Sequence, residues 1–150
     1  MDYVSYDESF LDKGNCIFIG GKTLVISYQE SDFFSNDSHN LLLYLKGTKE
    51  TSEEECQYLI SSLYKSLKPR YNWNGSISKK KIQTDVISLP IQTNADHTPI
   101  IDPKNTYHPE GYIPDWSFME KYIRAVEKVV IKDVVDWKDE EIKKTIEMVS

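Results

Sequence analysis

The chain has 150 residues, 39% of them hydrophobic and 28% charged, with a formal net charge of −6. This is enough for one modest core and too apolar for a disordered chain. No apolar run approaches bilayer length and Met1–Phe10 is acidic, which argues against a membrane anchor or a secretory signal. Cys16 and Cys56 lie far apart and form no CxxC pair, so they read as two reduced, buried thiols of a cytoplasmic protein rather than a disulfide framework or zinc ribbon.

In chain order, Asn15–Gly20 and Lys22–Tyr28 read as two short strands. Gly20-Gly21 between them predicts a tight hairpin. Ser31–Asn40 is a polar loop containing two phenylalanines. Leu41–Leu45 is a short apolar run that fits a buried strand, although periodicity alone does not exclude a helix. Ser52-x-x-Glu55 is a capping box that opens a helix, and Cys56, Leu59, Ile60, Leu63, Tyr64 and Leu67 form its apolar stripe up to Pro69. A loop follows over Arg70–Ser78, then a short helix over Lys79–Asp85 and a strand over Val86–Leu89 that ends at Pro90.

Gln92–Pro114 has little periodicity and several prolines, and reads as a surface loop or linker between units. Asp115 then caps a helical region with a stripe of Trp116, Met119, Ile123, Val126 and Val130. A second stretch carries Trp137, Ile142, Ile146 and Val149, with a candidate break near Asp136. Such a stripe packs either on its own domain or on a partner helix, and three clean coiled-coil heptads are absent.

Charge is unevenly distributed. Lys65, Lys68, Arg70, Lys79, Lys80 and Lys81 fall in one interval without an acid, which leaves 12 basic against 24 acidic residues elsewhere, or −12. Tyr64, Tyr71 and Trp73 interleave with these cations. Lysine and arginine neutralise phosphates, while side chains such as Asn72, Trp73 and Asn74 reach base edges or stack. The competing reading is a solvated helix end whose lysines favour the negative pole of the helix dipole.

Catalytic signatures are sparse. The sequence has no Gly-x-Ser-x-Gly, Walker loop, GxGxxG or HExxH, and His39, His97 and His108 read as loop histidines. Pro114-Asp115 followed by Asp136-x-Lys138 resembles the carboxylate–lysine pattern of many nucleases. With helix between them, the two aspartates would stand roughly 30 Å apart, too far to share a magnesium ion. No catalytic residue, metal or cofactor is assigned.

The order of several segments resembles the target recognition domains of restriction–modification specificity subunits, most closely those of type I. These segments are Phe33-Phe34-Ser35-Asn36-Asp37, the capped helix, Lys68–Trp73, Ile77–Ile82, Val86–Ile91 and Ile113–Ile123, and the likeness runs from about Asn15 to the C-terminus. The Leu-Pro strand end, variable loop and Asp-Trp-x-Phe-Met-Glu-x-Tyr-Ile helix are its most specific part. The resemblance implies sequence-specific binding of duplex DNA without chemistry, and a spacer helix that pairs with a similar helix. It also implies docking to a DNA methyltransferase subunit, with a restriction subunit as a further candidate partner. By position, Lys68–Lys81 lies on the DNA side and Trp116, Met119, Ile123, Val126 and Val130 form the helix seam. A complete specificity subunit has two recognition domains and two spacer helices. Only Met1–Gly14 stands before the matching position, so the expectation is the C-terminal part of a recognition domain plus its helix, as a truncated product, a split gene or a small stand-alone relative.

The expected architecture is α+β: a small mixed sheet packed by a helix, then a long C-terminal spacer or dimerisation helix. Its expected divisions are a partial recognition domain over 1–91, a linker over 92–114 and a helical region over 115–150. The alternative function is a protein-interaction module that pairs, with itself or with another protein, through the C-terminal helix and does not bind DNA.

Overall fold

The computed structural model describes residues 7–35, 37–46, 50–71 and 75–149. The fold is α+β, and every strand pairing in it is antiparallel rather than mixed. A 3-10 turn at Glu8–Phe10 leads into β1 (Leu11–Asp12), which pairs with β4 (Phe33–Phe34). The main sheet has the order β3-β2-β5, with β2 (Cys16–Ile19) central between β3 (Ile26–Gln29) and β5 (Leu41–Leu43). Phe18 and Phe33 meet edge to face at 6.1 Å and join the two sheets. Of the apolar run at 41–45, Leu41–Leu43 is strand, because β2 presents an open ladder to it from Ile17 to Ile19, and Tyr44 and Leu45 lie past that ladder.

The β2–β3 connection is wider than the glycine pair predicts. Ile19 and Ile26 are the last paired residues, so six residues, Gly20–Val25, make the turn. Gly20 N–H donates to Val25 O at 2.8 Å, and Leu24 N–H donates back to Gly20 O at 2.9 Å. Leu24 takes the left-handed φ of 53°, unusual for a bulky side chain. It is held there by packing against the core. Gly21 is needed for close approach, since a Cβ would run into the His39 carbonyl.

Helix α1 (Glu53–Leu67) begins where the capping box predicts. Ser52 Oγ accepts from Glu55 N–H at 3.2 Å, and Glu55 Oε2 accepts from Ser52 N–H at 3.1 Å. Cys56, Leu59, Ile60, Leu63 and Leu67 are buried on one face against Ile17, Ile19 and Ile26 of the sheet. Each fully buried aliphatic side chain of this kind contributes about 1.5–3 kcal/mol. Tyr64 lies beside that face, and its phenol serves the free edge of β3. It accepts from Ile26 N–H at 2.8 Å and faces Ile26 O at 3.4 Å.

Helix α2 (Lys79–Ile82) is a single turn, capped by Ser78. The segment expected as a strand at Val86–Leu89 has the alternation of one but no partner. Ile87 and Leu89 pack on the core while Val86 and Ser88 face outward, and no strand lies alongside among the described residues. Residues 92–114 fold on themselves. Ile91 bridges Pro114, Thr93 bridges Pro99 and Ile101 bridges Tyr112, all antiparallel. Gln92 N–H donates to Ile113 O and Asp102 N–H to Gly111 O, both at 2.8 Å. Tyr107 meets Trp116 edge to face at 6.0 Å and ties the stretch to the core.

Helix α3 (Trp116–Val149) runs unbroken for 34 residues, so the break expected near Asp136 does not occur. Nothing in Val134–Lys138 forces one, because the segment holds neither glycine nor proline. Asp115 caps α3, accepting from Phe118 N–H at 2.9 Å.

Replacing Tyr64 by Phe leaves the Ile26 N–H of β3 without its acceptor. A loss of about 1–2 kcal/mol in unfolding free energy by urea titration is expected. An unchanged midpoint would show that water serves the edge equally well.

Candidate functional site

Two surfaces stand out, a basic end of the body and the distal part of α3. The basic end forms where the C-terminal turn of α1, the segment Gly75–Ile77 and the Gly20–Val25 turn converge. They enclose a half-open groove of about 430 Å³, lined by Lys22, Thr23, Leu24, Tyr64, Lys68, Tyr71 and Ser76 among others, with no carboxylate in its wall among the described residues. Lys81 Nζ donates to Ser76 O at 3.1 Å, which anchors α2 to this wall.

The sequence-assigned cations separate into different settings. Lys68 lines the groove, whereas Lys65, one turn earlier, faces a second depression of about 430 Å³ with Tyr58, Ser62 and Tyr122. Lys79, Lys80 and Lys81 are exposed on α2. Arg70 is ion-paired: its Nη1 meets Asp85 at 2.5 Å, and Asp85 is mostly covered while the Arg70 side chain stays 58% exposed. Tyr71 donates to the other Asp85 oxygen at 2.6 Å, which holds its phenol above the ordinary value. Asn72, Trp73 and Asn74 lie outside the described residues.

Lys22 is a member of the groove that the sequence reading missed. It stands 43 positions before Lys65 and only the fold brings it to the same end. Its Nζ pairs with Asp37 at 3.1 Å and stays 61% exposed. Asp37 also accepts from His39 N–H at 2.9 Å and meets His39 Nδ1 at 2.7 Å. These contacts, the His39 N–H first and Lys22 after it, hold the Asp37 carboxyl well below the usual carboxylate range. A parallel arrangement holds Asp32, which accepts from Gly14 N–H and Lys13 Nζ, each at 2.8 Å, and is likewise lowered.

The residues assigned to a partner seam divide in two. Trp116 and Met119 are buried in the chain's own core, so they are not available to a partner. Ile123 is half-covered. Phe118 and Tyr122 meet Tyr58 of α1 edge to face at 6.4 and 5.6 Å, and Arg124 pairs with Glu54 at 2.9 Å. Val126 and Val130 lie beyond this contact, 42% and 55% exposed. From Arg124 to Met148 every residue of α3 is exposed, a length of roughly 38 Å. Ten large apolar side chains stand on that length. Val126, Val130, Val134 and Trp137 follow one face, while Ile131, Val135, Ile142 and Ile146 follow another, so the stripe shifts around the helix.

The nuclease-like pattern does not assemble. Asp115 is the α3 cap, and Asp136 and Lys138 sit 21 and 23 residues further along the same unbroken helix, about 30 Å away. Among the described residues no group of three His, Cys, Asp or Glu side chains converges to hold a metal. His108 meets Tyr112 in a tilted arrangement at 5.1 Å, and His97 takes a left-handed φ of 65° in the 94–98 turn. No helix of the described residues is long and apolar enough to cross a membrane.

No family model matches the sequence, and neither a curated protein nor a solved structure does.

The lowered carboxyls set an acid limit. Their contribution is complete above the ordinary Asp value of 3.8 and is lost as pH falls through the lower folded values. The thermal midpoint is therefore expected to be flat from pH 7 to about pH 5 and to fall below about pH 4. The fall should be shallower in Asp37→Asn. An identical acid limb in that variant would show that Asp37 carries none of the effect.

Proposed function

We propose that this chain is a non-catalytic recognition module of the restriction–modification specificity type, which contacts duplex DNA with the basic end of its body. The observation that carries this reading is the segregation of charge. On a chain of net charge −6, the end of α1 and the α2 turn present Lys65, Lys68, Lys79, Lys80 and Lys81 with no ion pair to any described residue. Of these, Lys68 lines a groove whose described lining holds no carboxylate, and Lys81 is bonded to its wall at Ser76. Exposed cations that are not neutralised by a carboxylate are those that displace counterions from phosphates. The resemblance of the Leu-Pro segment and the α3 start to specificity subunits supports the same reading, as does its implied partner, a methyltransferase or restriction subunit docked along α3. A cytoplasmic setting goes with it, and the burial of both Cys16 and Cys56 in the body is compatible with that.

The test is fluorescence anisotropy of a labelled random duplex titrated with the chain at two salt concentrations. Binding that weakens with salt is expected, and Lys79→Glu with Lys80→Glu and Lys81→Glu should abolish it. Removing a single lysine–phosphate pair should flatten the log–log salt slope by about 0.9. Absence of binding at low salt, or unchanged affinity in the triple variant, removes this assignment.

A second reading rests on a different observation, the ten large apolar side chains exposed beyond Arg124. In it the chain is a protein-interaction module that pairs through α3, and DNA plays no part. Isolated helices are marginal in water, and an exposed apolar stripe of this extent belongs in an interface. Sedimentation should then show a self-associated species that Val130→Asp with Val134→Asp dissociates, with the body still folded. A strictly monomeric mass at high concentration, with no co-purifying protein, counts against it.

A further inference from the structure

We propose that the Gly20–Val25 turn is a second contact element for the sugar–phosphate backbone of duplex DNA, with Lys22 as its phosphate-neutralising residue; this rests on the DNA reading above. Lys22 and Thr23 line the same groove as Lys68 and Ser76. The turn and the end of α1 thus border one concavity, and α2 is tied to it by the bond from Lys81 to Ser76 O. Two lysines from segments 46 residues apart thus flank a channel whose lining holds no acid, on a chain that is acidic elsewhere. An anionic strand is the occupant that such walls complement.

The turn is also built to hold its shape. Leu24 keeps a left-handed φ of 53° while its side chain packs on the core, and Gly21 lies directly against the His39 carbonyl. Backbone strain of this kind persists only where surrounding contacts over-determine it. The Lys22 stem leaves this fixed turn, and its ammonium rests on Asp37, whose other contacts are to His39. The carboxylate tethers the charge at the rim without covering it. Phosphate binding at this site replaces one exposed ion pair by another, and an exposed pair of this type is weak.

The experiment compares Lys22→Ala with Lys104→Ala, an exposed lysine of the 92–114 stretch, in the anisotropy titration against a random duplex. Lys22→Ala should weaken binding several-fold at low salt and lower the salt slope by about 0.9, whereas Lys104→Ala should change neither. Equal effects of the two variants, with the triple Lys79–Lys81 variant still impaired, overturn this inference and leave the DNA reading standing. A wild-type chain without salt-sensitive binding overturns both. Asp37→Asn gives a test of opposite sign. Releasing Lys22 from its carboxylate should tighten binding, and weaker binding with retained thermal stability would also overturn the inference.

Discussion

Everything in this fold depends on the burial of one helix, α1, against two different neighbours. Its apolar face covers β2 and β3, and its flank meets the first turns of α3 through Tyr58 and Glu54. The sheet alone has three short strands with an open edge on each side, and α1 is the element that takes its apolar face out of water. Tyr64 closes one of these edges by supplying a phenol to Ile26, which also removes a template for pairing with another chain. Once α1 is fixed, its C-terminal end fixes Lys65 and Lys68. The basic surface is therefore a by-product of core packing rather than a separately built element.

The two candidate surfaces differ in how they are supported. The groove is framed by hydrogen-bonded turns and the end of a buried helix. The distal α3 has no such frame. Pairs such as Glu141 with Lys144 stabilise a helix by a few tenths of a kcal/mol each. Its cluster of Val and Ile at 129–135 is composed of moderate helix formers. Those residues have branched side chains suited to packing, and they stand in solvent. Local sequence preference and exposure disagree there, whereas in α1 they agree. A helix of such composition is consistent with a structure completed by another protein surface.

Local signals were the legible ones. The Ser52/Glu55 box, the 56–67 stripe, the Asp115 cap and the short α2 turn all depend on residues within a few positions of one another, and the structure has each of them. Signals that need a distant partner were misleading. The glycine pair at 20–21 predicted a two-residue turn, but Gly21 serves the approach of the His39 backbone, which the hairpin sequence does not contain. Val86–Leu89 alternates like a strand and finds no described strand beside it. Trp116 and Met119 carry the same periodicity as Val126 and Val130, and periodicity cannot say where a helix leaves its own core. For the site, the sequence found the basic interval but neither Lys22, which joins Lys68 only in space, nor the ion pair of Arg70 with Asp85.

The root of α3 also has a mechanical consequence. Its first turn is embedded in the core at Trp116 and Met119 and clamped to α1 by Arg124, while its far end has nothing beneath it among the described residues. The helix is therefore a lever with its fulcrum inside the body. Over an arm of roughly 38 Å, a tilt of about 5° at the root moves the tip by about 3 Å. The same gearing works in reverse. A displacement of the tip by about 3 Å corresponds to only about 5° at the root, where α3 meets Tyr58 and Glu54 of α1.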